Sequence, residues 1–313
     1  MAASRLKIRE LARRDVGELI ELLRSSFPRE LEVSGFDEAT ARKTFRLYGL
    51  RKIFQKLSRR PFVLFYVGEV GGEIVATITL NRDERESWYI GTVMVAPGYR
   101  RKGYGRAILT YALEVAQTYG GKRAVLHVLE DNLPAVRLYE SIGFVRFERV
   151  VHLVCEPLVG GEISLPKGYG LERINFFDPR AARLSYEAME PESRGIYGEP
   201  KLPPRYVRPL ARLQPGIKER YAVTHGKRWA GIYTFTAPFR EKGAANASLA
   251  ILQEHRGIGL EEALLSLALR RARELGCPRL LVQANVANRE LVSACEALGF
   301  TRLYLMEGMY RDL

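Results

Sequence analysis

The stretch that decides the fold is VMVAPGYRRKGYG, residues Val93–Gly105. It begins with an apolar run and continues into a basic turn that ends in a Gly-x-Gly pattern. The same order recurs in LAILQEHRGIG, residues Leu249–Gly259. Apolar residues at helical spacing follow both stretches, and each predicted helix ends at a glycine, Gly120 or Gly276, as helix C-caps often do. The chain therefore predicts an internal duplication.

A second pair of matching segments supports the duplication. After each predicted helix comes a short apolar run, and then an asparagine twelve residues ahead of a phenylalanine: Asn132 and Phe144 in the first copy, Asn288 and Phe300 in the second. When the glycines are paired as Gly103 with Gly257, the intervals to the two asparagines are 29 and 31 residues. Matching order and residue type favour duplication over chance similarity of two α/β segments.

A predicted β-hairpin precedes each of these blocks, with turns at Gly71-Gly72 and at Gly226-Lys227. Each copy then reads as strand, helices, hairpin, strand, helix, strand, helix and strand. This pattern predicts the α/β (α+β) fold class, with two tandem copies of a mixed, largely antiparallel sheet flanked by helices. We expect domains at residues 4–156 and 167–313, a linker at 157–166, and a loop or cover in the proline-rich stretch 191–216.

Composition sets the broad class of protein. A chain of 313 residues is long enough for about two domains, and 47% hydrophobic residues exclude intrinsic disorder. We see neither an apolar run long enough to span a bilayer nor a signal peptide, so we expect a cytoplasmic protein. Cys155, Cys277 and Cys295 are too few and too scattered for a disulfide framework or a zinc site, and we expect no metal.

The net charge of +13 favours polyanionic partners such as nucleic acid or a phosphorylated cofactor, or else a solvated, salt-bridged surface. A nucleic-acid interpretation rests on the basic stretch 201–250, in which aromatic residues alternate with arginine and lysine: Tyr206, Tyr221, Trp229 and Tyr233. Three of these aromatics fall in the predicted hairpin, where core packing explains them better. Core packing of these aromatics therefore argues against nucleic acid as a partner, and we expect no membrane partner.

The glycine turn of the first copy has the chemistry of a diphosphate site. A strand that runs through glycines into a helix presents free backbone N–H groups at the positive end of that helix. Arg100, Arg101 and Lys102 add charge at the same turn. No Gly-Lys-Ser/Thr follows, which excludes a Walker A loop, and the third glycine of the Rossmann fingerprint is missing. A tight packing turn remains the alternative.

Two motifs carry a family resemblance: RRKGYG, residues 100–105, and NLPAVRLYESIGF, residues 132–144. They resemble the acyl-CoA loop and the downstream motif of the GCN5-related N-acetyltransferases (GNAT), well over residues 4–155 and more loosely over 166–313. The resemblance implies acetyl-CoA as co-substrate, a diphosphate on the loop amides, and pantetheine between the strands at 88–95 and 123–129. The implied coenzyme A-binding residues are Val93, Met94, Val95, Arg100, Arg101, Lys102, Gly103, Tyr104, Gly105, Arg106 and Asn132.

The same resemblance implies the catalytic residues. Tyr139 is the candidate acid for the leaving thiolate, and the backbone N–H groups of Val93–Val95 are candidate donors to the oxyanion. The first copy is most similar to protein N-terminal acetyltransferases, including the ribosomal-protein type. In some of these, a histidine and a strand tyrosine at the positions of His127 and Tyr89 deprotonate the amine through water. The alternatives are that Tyr139 is a packing residue, that His127 is structural and that Tyr89 is an ordinary strand aromatic. A carboxylate base contributed by this strand would require Glu86.

Two departures leave the acceptor open. The last strand of the first copy, residues 144–154, is short and lacks the tyrosine-bearing loop of those enzymes, so region 28–60 or the second domain must supply the wall for the acceptor. In the second copy, Glu254 stands first in the loop, Gln283 replaces the histidine and Cys295 the tyrosine.

We therefore expect an acetyl-CoA-dependent N-acetyltransferase that works through its first copy on a protein, peptide or small-molecule amine. On this hypothesis the second copy is structural or binds acetyl-CoA without turnover. The alternatives are a non-catalytic acyl-CoA-binding or regulatory module and an RNA-directed acetyltransferase.

Overall fold

The computed structural model describes residues 6–26, 63–82, 87–199, 216–238 and 243–313. The chain forms two compact units. The first comprises residues 1–146 and 309–313, and the second comprises residues 147–308. No helix of the described residues is long and apolar enough to cross a membrane.

The first unit contains a sheet with the strand order β1-β2-β3-β4-β5. Its strands are β1 (Lys7–Glu10), β2 (Val63–Val70), β3 (Glu73–Arg82), β4 (Ser87–Val95) and β5 (Arg123–Leu129). Its helices are α1 (Val16–Ser26), α2 (Tyr104–Thr118) and α3 (Leu133–Glu140), and Arg13–Asp15 and Pro97–Tyr99 form short 3-10 turns. The pairs β1–β2, β2–β3 and β3–β4 are antiparallel, whereas β4 and β5 are parallel. Apolar residues of α2 and of the central strands share one buried core that includes Ile78, Trp88 and Leu109.

The second unit repeats this plan with the order β12-β6-β11-β10-β9-β8-β7. Its strands are β6 (Val145–Cys155), β7 (Tyr169–Arg173), β8 (Ile217–His225), β9 (Arg228–Ala237), β10 (Ala245–Ile251), β11 (Leu280–Asn285) and β12 (Thr301–Asp312). Its helices are α4 (Pro179–Glu187), α5 (Pro191–Tyr197), α6 (Leu260–Glu274) and α7 (Arg289–Ala297), with a 3-10 turn at Gln253–His255. Here β10 and β11 are the parallel pair.

The predicted fold class is confirmed, and both predicted hairpins are present as β2–β3 and β8–β9. Part of one loop prediction was wrong, because residues 191–197 of the stretch 191–216 form helix α5. Pro191 is the first residue of that helix, a position where the missing N–H of proline costs no hydrogen bond. The rest of that stretch, residues 200–215, lies outside the described residues.

The two units differ from the expected domains in where they divide the chain. Strand β6 belongs to the first copy by sequence, yet most of it lies in the second unit, where it pairs with β11. The last residues of β12 lie in the first unit, where the N–H of Leu313 donates to the carbonyl of Lys122 and Arg123 pairs with Asp312 at 2.6 Å. The boundaries 4–156, 157–166 and 167–313 follow the repeat and stay a prediction about it.

The backbone corrects the residue pairing of the two copies. Gly103 and Gly259 each precede a 15-residue helix in the left-handed conformation, with φ of 82° and 87°. Asn132 and Asn288 each cap the next helix with their side chains, so the interval from glycine to asparagine is 29 residues in both copies. The pairing of Gly103 with Gly257 was therefore wrong, and equivalent residues of this segment are 156 positions apart.

Candidate active site

Strands β4 and β5 separate part of the way along their length. They pair through Ser87, Trp88 and Tyr89 on β4, and the last of these lies opposite Val125. Beyond Tyr89 the two described strands are not paired with each other, although β4 continues to Val95 and β5 to Leu129. A gap with backbone polar groups on both sides can accept an extended ligand in the manner of an added strand. This is where the pantetheine arm was expected.

A β-bulge reshapes β4 beside this gap. Thr77 of β3 lies opposite Met94 and Thr79 lies opposite Gly91, so β4 has one extra residue over this interval. Within it Thr92 has a φ of 52°, and its hydroxyl lies 3.0 Å from that of Thr79. A β-branched residue with positive φ is strained, and such strain is often found at functional sites. Sequence reasoning missed Thr92, although Gly91 beside it is a residue type that often marks a bulge in a strand.

The expected oxyanion donors lie just after the bulge. The N–H of Ala96 donates to the carbonyl of Val75 at 2.8 Å, so Ala96 faces β3. Backbone groups of successive residues in a strand point to opposite edges, which directs the N–H of Val95 towards the gap. The side chain of Met94 is 3% exposed and packs in a small core with residues of α1, and Val93 is half-buried. A role for these amides in catalysis stays a prediction.

The basic turn leads from β4 into α2. The Nε of Arg100 donates to the carbonyl of Val95 at 3.0 Å, which ties the turn to the end of the strand. Arg101 has a φ of 60° and Gly103 one of 82°. The first backbone hydrogen bond of α2 runs from Ala107 to the carbonyl of Gly103, so the N–H groups of residues 104–106 have no acceptor inside the helix.

The side chains of the turn leave positive charge at the surface. Arg100, Arg101, Lys102 and Arg106 are exposed, and Arg106 donates to the hydroxyl of Ser141 at 2.6 Å. The Nζ of Lys102 lies 4.9 Å from the centre of the Tyr99 ring. By contrast, Tyr104 is buried, and a Cβ atom on Gly105 would lie 3.3 Å from Cδ2 of Leu138. The turn therefore combines the backbone amides of a helix N-terminus with exposed cations and close packing, a combination that suits a diphosphate.

Asn132 and Tyr139 are both positioned by α3. The side chain of Asn132 accepts a hydrogen bond from the N–H of Ala135 at 3.3 Å and so caps the helix. Tyr139 lies almost two turns later and is 6% exposed, with its ring centre 6.0 Å from that of Phe144. Burial raises the pKa of the Tyr139 phenol well above its usual value of 10, and nearby Tyr89 raises it further. The phenol is therefore a proton donor at neutral pH.

The three predicted catalytic side chains lie near one another. The rings of Tyr89 and His127 are 5.8 Å apart, centre to centre, and tilted by 31°. Tyr89 is 39% exposed and His127 is half-buried, so solvent reaches this pair while Tyr139 is enclosed. Tyr89 is close enough to Tyr139 to influence its titration. Their assignment as acid and base stays a prediction.

The second copy has the separated strands without the bulge. Strands β10 and β11 pair only through Ala245, Asn246 and Ala247, yet β9 and β10 pair without a register shift from Asn246 to Ile251. The equivalents of Tyr89, His127 and Tyr139 are Ala245, Gln283 and Cys295. Cys295 is fully buried, and burial raises the pKa of its thiol to about 12, which makes it a poor nucleophile.

Several other expectations meet the structure here. Glu86 and region 28–60 lie outside the described residues. Of the aromatics weighed for nucleic acid, Tyr233 is 1% exposed and stacks on Tyr221 with 5.9 Å between ring centres, as core packing predicts. All three cysteines are free and buried, and no cluster of metal-binding side chains occurs among the described residues.

Comparisons with known proteins agree on a family and on its duplication. The profile of the Acetyltransferase (GNAT) family matches residues 17–144 and again residues 185–300. Over 262 residues the chain is 26% identical to a mycothiol acetyltransferase of Thermobispora bispora, which covers 80% of this chain and 83% of that protein. It is 23% identical to the N-alpha-acetyltransferase MAK3 of Arabidopsis thaliana over 45% of this chain and 70% of that one.

A solved structure shows the same fold over the whole length. A tandem GNAT protein from the clavulanic acid biosynthesis pathway superposes with a TM-score of 0.65. The two chains are 19% identical, and 98% of each is covered.

Proposed function

The chain belongs to the acetyltransferase (GNAT) family, and on that premise we propose that its first copy transfers the acetyl group of acetyl-CoA to a primary amine. Enzymes of this family use acetyl-CoA. The observation that carries the proposal is the juxtaposition of a basic glycine turn with separated strands and with Tyr89, His127 and Tyr139.

Binding of coenzyme A would use the two halves of this site for different parts of the molecule. The amides of residues 101–106 and the exposed cations around them would hold the diphosphate, because anions bind favourably at a helix N-terminus. The pantetheine arm would add as a short strand in the gap beyond Tyr89 and Val125. Asn132 lies at the start of α3 beside that path.

The proposed transfer proceeds by direct attack of a neutral amine on the thioester carbonyl. A carbon–nitrogen bond forms, and the carbonyl oxygen becomes an oxyanion that the N–H of Val95 faces. Collapse of this intermediate breaks the carbon–sulfur bond and releases a thiolate, which receives a proton or hydrogen bond from Tyr139. Because burial raises the pKa of Tyr139, its phenol carries a proton at neutral pH and can donate a hydrogen bond to the leaving thiolate.

Removal of the proton from the amine is assigned to His127 with Tyr89. A neutral imidazole has one ring nitrogen with a free lone pair, which can accept this proton. The partial exposure of Tyr89 and His127 allows a water molecule to relay that proton.

Two classes of amine remain candidates, each favoured by a different observation. The mycothiol acetyltransferases match across both copies, which favours a small amine carried on a sugar or thiol. The pairing of Tyr89 with His127, together with the likeness to N-alpha-acetyltransferases, favours the α-amine of a peptide.

An acceptor panel tests the proposal. The full chain is incubated with acetyl-CoA and either a peptide with a free α-amine or a cysteinyl amino sugar, and free thiol and product mass are measured. Each acceptor is matched with its N-acetylated form. We expect thiol release with at least one free amine and none with its blocked partner; no amine-dependent release from any acceptor would contradict the proposal.

The assignment to the first copy has its own matched variants. Lys102 and Ile258 are exposed residues at equivalent positions of the two turns. Lys102→Glu is expected to raise the KM for acetyl-CoA at least tenfold, because it reverses a charge beside the diphosphate. Ile258→Glu is expected to leave activity unchanged. The opposite pattern would place the reaction in the second copy.

A further inference from the structure

The turn before α6 has the backbone of the turn before α2 but a different chemistry. The Nε of Arg256 donates to the carbonyl of Ile251 at 3.0 Å, as Arg100 does to Val95 in the first copy. Gly257 has a φ of 70°, close to the 60° of its equivalent, Arg101. Equivalent backbone N–H groups therefore point in equivalent directions in the two turns.

In the second copy a side chain of the protein itself uses this space. Glu261 is equivalent to Gly105 and is 2% exposed. Its carboxylate oxygens accept from the N–H of Gly257 at 3.2 and 3.4 Å. That amide is the counterpart of the Arg101 amide, one of those proposed to hold the diphosphate. Burial raises the pKa of Glu261, and its hydrogen bond from Gly257 offsets part of that rise.

A compensating exchange makes room for the Glu261 side chain. In the first copy a Cβ atom at Gly105 would lie 3.3 Å from Cδ2 of Leu138, closer than ordinary contact. The equivalent of Leu138 is Ala294, which is 1% exposed and lacks the atoms that would obstruct a glutamate. The first copy could not hold such a carboxylate without repacking, whereas the second is built to hold it.

The charge of the second turn also opposes a diphosphate. The counterparts of Arg101, Lys102 and Arg106 are Gly257, Ile258 and Glu262. The guanidinium of Arg256 is turned inward: its side chain is 8% exposed and pairs with Glu190 at 2.6 Å. The remaining candidate cation of the turn, His255, places Nδ1 2.6 Å from the hydroxyl of Tyr169.

We infer that the carboxylate of Glu261 occupies the position that a phosphate group would take in the second copy, and that each chain therefore binds one coenzyme A, in its first copy. Like the proposed function, this inference takes coenzyme A as the ligand. The second copy keeps the fold of a nucleotide site that its own carboxylate closes.

Calorimetric titration of the full chain with coenzyme A tests the inference. We expect one molecule bound per chain, and no binding to the double variant Arg101→Glu/Lys102→Glu, whose substitutions lie on the surface. Two molecules per chain, or residual binding in the double variant, would overturn the inference. A wild-type chain that binds none would instead contradict the proposed function.

The role of Glu261 itself is tested in the double variant. Adding Glu261→Gly removes the carboxylate and is expected to restore measurable coenzyme A binding, weaker than that of the wild type by about 100-fold or less. Glu262→Gln, added to the same background, removes one negative charge from the adjacent residue and is expected to restore none. If Glu261→Gly folds with an unchanged circular dichroism spectrum and restores no binding, Glu261 is not what closes the site.

Discussion

Replacing Tyr139 by phenylalanine removes one hydroxyl group from an enclosed side chain and leaves its ring in place. The ring is 6% exposed and packs near Phe144, so Tyr139→Phe is expected to change the free energy of unfolding by about 1 kcal/mol or less. The diphosphate turn lies on other residues and is untouched. The substitution therefore separates proton donation from binding and from folding.

The expected magnitude follows from the proposed role. A positioned proton donor contributes about 10²–10⁴ in rate, so kcat is expected to fall at least about 100-fold, which corresponds to about 2.7 kcal/mol in the barrier. The KM for acetyl-CoA is expected to stay within about twofold. Because the pKa of Tyr139 is raised, its phenol remains protonated well into alkaline solution, and the wild-type rate should show no loss attributable to this group below about pH 10.

Thiol release measured from pH 6 to 10 checks both expectations. The matched control is Tyr233→Phe, since Tyr233 is 1% exposed, has a pKa that burial likewise raises, and lies in the second unit. It should leave kcat unchanged. A Tyr139→Phe enzyme with wild-type kcat would refute the acid assignment and return Tyr139 to a packing role.

Three further predictions concern other parts of the first unit. His127→Gln, which introduces the residue of the second copy, should lower kcat/KM about 100-fold at pH 7. This loss of kcat/KM should become smaller as the pH approaches the pKa of the acceptor amine, because the amine then loses its proton without a base. A loss that does not change with pH would argue against His127 as the base. Arg100→Ala removes the hydrogen bond to Val95 and should raise the Kd for coenzyme A about tenfold without lowering kcat at saturation, as titration and kinetics would show. Asp15→Asn should destabilise the fold by about 2 kcal/mol, because its carboxylate is 4% exposed and bonded to Arg9, which is itself 23% exposed. Burial by itself would raise the pKa of Asp15, but hydrogen bonds from Arg9 and from the N–H of Ala12 lower it by more, so the pKa of this carboxyl lies below its usual value. The stability difference should therefore be full above about pH 4 and vanish as the pH falls through the lowered folded-state pKa; a difference that persists in acid denaturation would contradict this.

Much of the fold could be predicted from the sequence because its signals are local. Glycine marks the turn of each hairpin, at Gly71-Gly72 and at Gly226, and apolar periodicity marks α2 and α6. Asn132 and Asn288 cap the following helices, which fixes the second pair of matching segments. Helix α5 was missed because proline usually ends helices, whereas Pro191 begins one.

Residue types alone allow two pairings of the turns, because Gly103 can be matched with either Gly257 or Gly259. Sequence comparison paired Gly103 with Gly257, because each is the first glycine of a Gly-x-Gly pattern. In the structure Arg101 adopts that conformation in the first copy, and Gly257 is its counterpart. The backbone conformation decides which residues of the two turns are equivalent, and the presence of an arginine does not predict a positive φ.

Two features of the sites depend on tertiary packing. Gly91 is compatible with a bulge beside Thr92, but only the register shift against β3 establishes that β4 has one. Glu261 reads as an acidic residue in the first turn of a helix, a common and favourable position. The role of Glu261 becomes apparent only when Gly105 is recognised as its counterpart and Ala294 as the small residue that leaves space for its side chain. With the corrected pairing, the exchange of Gly105 and Leu138 for Glu261 and Ala294 is a signal that sequence alone could have given.

Difference electron density from crystals soaked in coenzyme A would test most directly where the reaction is carried out. Density for the diphosphate is expected at the amides of residues 101–106, with the thiol end near Tyr139 and the arm between β4 and β5. Density at residues 256–262 with none in the first copy would contradict the assignment of the chemistry to Tyr89, His127 and Tyr139.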